Sequence, residues 1–369
     1  MVAAAVLLSA IAPLILLTAP MVVGALITLY GFTPQQAGLS ISVELGAMSL
    51  AGLPALWWMP RHPWRPFVVA ALLLLVAANL ACTLVHSFAA LTCWRLLSGL
   101  GGGTLMVVAM SAIAGTHQPE RNFGWWTVGQ LAMGALALAL LPQVLPWVGL
   151  HGLYVALAVL LAAGLLLVRF LPQRAAAPLD AGVCFTGSYG RASLALAGIL
   201  VFYIALSGVW TFLERIGVAN GLTAATIGRH LTLASVCGIA GCLAATALGA
   251  RLRRGLPLLL GLALLVGSII LLMGRLSPAE FLLGSGGFKF AWTFALPFML
   301  AVTASLDASG RILALANLMI GCGLALGPAV VAALLGDPPR YTVALWTGVI
   351  GGLASLSLLA ASMAGRARA

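Results

Sequence analysis

The sequence predicts an all-α polytopic membrane protein, with twelve transmembrane helices arranged as two parallel, pseudo-symmetric halves of six. Three observations carry this expectation. Of 369 residues, 63% are hydrophobic and 7% are charged. Soluble domains have about 45–50% and about 25%, so lipid must solvate most of this chain. Apolar runs of about 20 residues, the length that crosses a hydrocarbon core about 30 Å thick, recur along the whole sequence. Finally, "GFTPQQAGLS" from Gly31 returns as "GLTAATIGRH" from Gly221, aligning Gly31 with Gly221, Thr33 with Thr223 and Gly38 with Gly228 at one constant offset of 190 residues.

The spans follow in order. The first, 4–29, has no basic region before it and is too long an apolar run for a cleaved leader, so it reads as a retained helix. The second, 36–59, ends at "PRHPWRP" (60–66). The third and fourth cover 67–86 and 89–112. Asn122 to Val168 carries no formal charge, and as one helix rising about 1.5 Å per residue it would be roughly 70 Å long, too long for one crossing. It is therefore read as two spans, 123–142 and 150–170, with "LPQVLPWVG" and its Pro142 and Pro146 as the break. The segment 171–191, "LPQRAAAPLDAGVCFTGSYGR", is polar and rich in small residues, a linker. Spans over 193–214, 223–249, 256–274, 279–303, 311–335 and 341–363 complete the set, with "RLRRG" (251–255) after the eighth. The expected domains are an N-terminal half (1–170), a cytoplasmic linker (171–191) and a C-terminal half (192–369).

Twelve spans put both termini on one face, and charge selects which. Loops after even-numbered spans and the C-terminal tail hold twelve arginines: Arg61, Arg65, Arg121, Arg169, Arg174, Arg191, Arg251, Arg253, Arg254, Arg311, Arg366 and Arg368. The opposite face holds Arg215, Arg275 and Arg340. This bias predicts cytoplasmic termini and a multi-pass protein of the inner (plasma) membrane. It also accounts for the net charge of +11 without a nucleic-acid partner. The six cysteines are scattered with no C-x-x-C pair, which argues against a metal site or a disulfide framework. No cofactor is implied.

The repeat extends further: Arg61 aligns with Arg251 and Arg121 with Arg311. Parallel halves of this kind are a transporter architecture, with the binding site between them near the midplane. "LTCWRLLSGLGGG" (91–103) resembles the fourth-span pattern of the major facilitator superfamily, an arginine followed four residues later by glycine and two later by a second small residue: Arg95, Gly99 and Gly101. The resemblance covers essentially the whole chain. It implies alternating access by a monomeric permease and a role for Arg95 in coupling. Two family patterns are altered. Pro60, and Ala250 in the second copy, stand where the loop after the second span usually has an acid, and the fifth span, "VGQLAMGALAL", lacks the Gly-Pro signature of many antiporters.

The glycines and loop arginines repeat, whereas the intramembrane charges do not: Arg229 aligns with Leu39, His230 with Ser40, Lys289 with Gly99 and Glu44 with Ala234. Charge at the middle of a span costs at least about 2.5–3.5 kcal/mol, so these residues mark a site. Tyr203, Ser207, Trp210 and Glu214 form one stripe of the seventh span, a wall for a substrate, with Glu214–Arg215 pairing as the plainer reading. Lys289, the chain's single lysine, shares a face of the tenth span with Ser285, Trp292 and Thr293, and either holds a substrate anion or pairs with Glu214. Glu44 lies about eight residues into its span, roughly 12 Å deep, and is the expected proton carrier, switching against Arg95, with a static bridge as the alternative. Arg229, His230, Gln130 and Asn317 are secondary candidates; His62, His86, His117 and His151 sit in loops or at span ends with no role assigned. The resulting expectation is a secondary transporter moving a small solute, with a proton as coupling ion and lipid as its only other partner. A channel or sensor on the same scaffold is the alternative. A membrane-embedded enzyme lacks any nucleotide, metal or catalytic motif.

Overall fold

The computed structural model describes residues 1–174, 189–249, 255–306 and 311–364. Most of the expected linker (171–191), and Arg251, Arg253, Arg254, Arg366 and Arg368, lie outside the described residues. Among the described residues the secondary structure is helical throughout, as a bilayer demands, because a helix satisfies its own backbone polar groups.

The first span is broken into α1 (Val2–Ile11), α2 (Leu14–Leu17) and α3 (Ala19–Tyr30). Expected as one helix, it is interrupted where Pro13 and Pro20 remove backbone donors. The second span is α4 (Pro34–Leu50) continued by α5 (Gly52–Trp58). Then come α6 (Trp64–Cys82) and α7 (Phe88–Ala114). The fifth and sixth spans form one helical stretch, α8 (Pro119–Gly164), extended by a 3₁₀ turn over Leu165–Phe170. Pro142 and Pro146 remain inside this helix; the chain breaks instead at Gly149, with φ 59° and ψ −165°, a backbone region essentially reserved for glycine. The second half holds α9 (Tyr189–Ala219), α10 (Ala224–Gly249), α11 (Gly255–Leu271), α12 (Pro278–Ala304), α13 (Arg311–Leu334) and α14 (Thr342–Met363). Among the described residues nine stretches are long and apolar enough to cross a membrane. One of them, Arg121–Phe170, is 50 residues long, enough for two crossings about the Gly149 break; with the broken first span and the shorter apolar helix Gly255–Leu271 these make up the twelve expected spans.

The chain divides into two compact units, Met1–Leu179 and Asp180–Ala369. Within the first, α7 packs on α4 and α6, while α1 and α3 pack on α8; within the second, α12 packs on α10 and α11, while α9 packs on α13 and α14. The same pairing of spans therefore occurs twice. The repeated peptide explains part of it. Gly31 and Gly221 have φ of 67° and 80°, and the next amide closes each helix end, Phe32 N–H to Leu26 O at 3.2 Å and Leu222 N–H to Gly217 O at 3.1 Å. Thr33 and Thr223 then cap the following helices, accepting from Gln36 N–H and Thr226 N–H. The repeated stretch is a helix stop and a helix start.

Candidate functional site

In the N-terminal unit the glycine run of α7 decides how its neighbours approach. Gly99 and Gly103 lie on α4, where an added Cβ would meet the carbonyl oxygens of Glu44 and Met48. Gly101 lies on α6, with the Ala71 carbonyl 2.9 Å from the place of a Cβ, and Gly102 faces Ala12. Small residues four apart allow such contact between membrane helices. Gly99 sits one turn after Arg95, so the contact that removes its side chain also brings Glu44 alongside the guanidinium.

Glu44 and Arg95 are 6% and 3% exposed, with Arg95 Nη1 3.6 Å from Glu44 Oε1. That is an ion pair, but too long for a hydrogen bond. Arg95 Nη2 donates to Asn79 Oδ1 at 3.1 Å, and Ser98 Oγ donates to Glu44 Oε1 at 3.3 Å. The guanidinium carbon stands 5.2 Å from the centre of the Tyr154 ring. Glu44, Asn79, Arg95 and Ser98 line a cavity of ≈ 10 Å³ together with apolar residues of α1, α2, α6 and α8, space for about one water. The expected pair is thus in contact. Sequence reasoning does not single out Asn79, Ser98 or Tyr154 as its partners; Asn79, the one amide in the apolar third span, is the legible hint.

In the C-terminal unit Lys289 is 1% exposed. Its Nζ lies 3.8 Å from the Trp210 ring centre and 3.9 Å from that of Trp292, so two indole faces enclose the ammonium. Among the described residues no carboxylate reaches it. Cation–π contact supplies about 2 kcal/mol for a desolvated pair, while burying an ion costs several kcal/mol, so the rings compensate the charge in part. Room for the lysine comes from α10: a Cβ on Gly238 would lie 3.1 Å from Lys289 Cγ. Thr293 Oγ donates to Gly238 O at 2.6 Å. At the repeat offset, Gly238 and Thr293 correspond to Met48 and Gly103. The glycine that permits close packing has moved from the fourth span of one half to the second span of the other, freeing position 289 for a long side chain.

The stripe of the seventh span is buried on α9. Ser207 Oγ donates to Tyr203 O and Gly323 O, and Trp210 meets Trp292 edge to face at 6.2 Å. Glu214 accepts from Arg215 at 2.6 and 3.0 Å; it is this neighbour, rather than Lys289, that neutralises it. Ser285 Oγ donates within its own helix to Phe281 O. The secondary candidates are dispersed. Arg229 is exposed beside Thr226, His230 packs against Phe281, Gln130 donates to Ser9 O at 3.1 Å, and Asn317 is exposed on α13.

Apolar helices in two units with one pairing scheme, each unit carrying its own buried charge, define a polytopic membrane protein of transporter architecture. The sequence model of the Major Facilitator Superfamily matches residues 2–328, and the chain belongs to that family. No curated protein sequence matches it significantly. Among solved structures it is similar to a point mutant of the nucleoside transporter NupG (TM-score 0.75, 14% identity, covering 98% of this chain and 99% of that one). It is also similar to a D-xylose–proton symporter (TM-score 0.75, 11% identity, 96% and 95% covered). A third is a bacterial homologue of the human lysosomal transporter Spinster (TM-score 0.64, 14% identity, 98% and 95% covered). At these identities the likeness is one of fold.

Proposed function

We propose that the protein is a proton-coupled secondary transporter of a small solute bearing an anionic group, working as a monomer by alternating access between a half over 1–170 and a half over 192–369. The observation that carries this is the asymmetry of the buried charges: the repeat reproduces caps and helix pairing, but Glu44–Arg95 occurs in one half and caged Lys289 in the other. Lys289 offers three donors and an incompletely compensated charge, so a substrate anion is its natural partner, with Trp210, Trp292, Tyr203 and Ser207 as the surrounding wall and Glu214 at its end. Glu44 is the proton carrier. Protonated, it releases Arg95; ionised, it holds it, and the looseness of the 3.6 Å contact suits a pair that must separate. In this reading both termini face the cytoplasm, and the bilayer is the inner (plasma) membrane.

The test is a thermal-shift screen of the purified chain against small organic anions. A ligand at about 100 times its Kd stabilises the folded state by about 2.7 kcal/mol. Lys289→Met is expected to abolish the shift without lowering the melting temperature of the free protein. An identified ligand then permits flux assays, in which Glu44→Gln should stop gradient-driven accumulation while retaining exchange. A ligand bound equally well by Lys289→Met removes Lys289 from the site.

A further inference from the structure

The first unit contains a line of titratable side chains that transport of a solute does not by itself require. At the end opposite Arg61, Arg65 and Arg121, three turns of chain converge: the Gly31 turn after α3, the turn between α6 and α7, and the Gly149 break in α8. They bring together Tyr30, His86 and His151. The Tyr30 and His86 ring centres are 5.2 Å apart, those of His86 and His151 5.2 Å, and those of Tyr30 and His151 6.0 Å. His86 is exposed, His151 and Tyr30 are half-buried, and Tyr154, one turn beyond His151, is fully buried. Tyr154 lies three residues after His151 on the same side of α8, and its ring faces Arg95. The line thus runs from the surface cluster of His86, His151 and Tyr30 through Tyr154 to Arg95 and Glu44.

Several polar atoms along it are left by folding without a protein partner. Tyr30 Oη, Tyr154 Oη, Arg95 Nε and Nη1, and Glu44 Oε2 are buried without a hydrogen bond to protein. An unsatisfied buried group costs about 1–3 kcal/mol, so a hydrophobic packing role alone would favour Phe over Tyr at 30 and 154. The cavity beside Glu44, Asn79, Arg95 and Ser98 has room for about one water and polar groups to hold it. Two imidazoles, groups that both accept and donate protons on ring nitrogen, meet at its surface end. The ring that faces both is that of Tyr30 from α3.

We propose that His86, His151, Tyr30 and Tyr154 form a proton path from the surface of the N-terminal unit to Glu44. A proton from bulk water binds an imidazole nitrogen at the mouth. The imidazolium gives it to a tyrosine hydroxyl, directly or through water. Each hydroxyl accepts on oxygen and releases its own proton onward, and the Glu44 carboxylate takes the last one. The imidazole returns to neutral, both tyrosines are unchanged, and Glu44 ends as a carboxylic acid. Arg95 relays nothing; its charge is balanced by Glu44 until the proton arrives, when the attraction between them is lost. The path rests on the reading of Glu44 as proton carrier and adds the route by which it is filled.

The test uses the purified full-length chain in detergent, with no ligand. A downward pH jump is followed by infrared difference spectroscopy, and the carboxylic-acid band of Glu44 is assigned by its disappearance in Glu44→Gln. Tyr154→Phe keeps the ring under Arg95 and removes only the hydroxyl. It is expected to slow the rise of that band by at least about tenfold, within the ~10²-fold that one positioned proton-transfer group supplies. His86→Ala/His151→Ala, at the accessible mouth, should slow it comparably with little change in melting temperature. Unaltered rates in both variants overturn the path while leaving Glu44 as carrier. Absence of any band that Glu44→Gln removes overturns the carrier reading and the path with it.

Discussion

At the scale of single residues, function and packing depend on the same atoms. Gly99 belongs to the fourth-span stretch that resembles the family pattern, and its physical reason is the Glu44 carbonyl lying where a Cβ would go. Gly99→Ala must push α4 away, and overpacking of this kind costs about 1–3 kcal/mol. The expected result is a lower melting temperature in detergent together with loss of the Glu44–Arg95 contact, visible as an altered Glu44 infrared band. Gly238 has the matching part in the other half. Gly238→Val would crowd Lys289 at Cγ, so ligand affinity should fall by about tenfold, equivalent to about 1.4 kcal/mol, in a binding titration. Unchanged affinity would show that Lys289 can rearrange within its two indoles.

At the scale of elements, the turns are set by local chemistry and can be tested locally. Thr33 caps α4 in a capping box with Gln36. Thr33→Ala should cost about 1 kcal/mol, with no effect on proton uptake if the cap serves only the helix; a melting curve and the pH-jump experiment separate these. Gly149 is the more severe case. Its backbone conformation costs a non-glycine residue about 1–3 kcal/mol, and the break it makes turns the fifth span into the sixth and sets His151 beside His86. Gly149→Ala is expected to reduce the yield of correctly inserted protein, measured by protease protection of the following segment, whereas Pro142→Ala and Pro146→Ala should leave insertion intact. On sequence grounds the prolines mark a break, because proline removes a donor. In lipid such helices persist, since neighbouring helices and local adjustments satisfy the freed groups.

At the scale of the whole molecule, the arginine bias and the even number of spans predict that His62 and Trp147 lie on opposite sides of the membrane. Both are exposed. Single cysteines at these positions, in a cysteine-free background, should react with an impermeant reagent from the cytoplasmic side at 62 and from the outer side at 147. Labelling of both from one side would overturn the topology.

What the sequence determined by itself is what lipid and backbone chemistry impose on any chain. Hydrophobic runs must become helices, a Gly–x–Thr between two such runs must stop one and start the next, and an intramembrane Glu, Arg or Lys must have a reason to be there. The spans, the repeat and the unusual positions of Glu44, Arg95 and Lys289 were therefore legible, as was the pairing of Glu44 with Arg95 as a possibility. Tertiary structure alone decided which partner each charge obtains. Lys289 lies between two tryptophans 82 residues apart in sequence, Trp210 and Trp292, and Glu214 is neutralised by its neighbour Arg215. His86 and His151 look like unrelated loop residues until a break at one glycine and a turn between two helices bring their rings to 5.2 Å. Periodicity places a residue on a face of its own helix, but the distance to a charge on another helix depends on how closely the backbones pack, and that is fixed by which side of each contact carries the glycine.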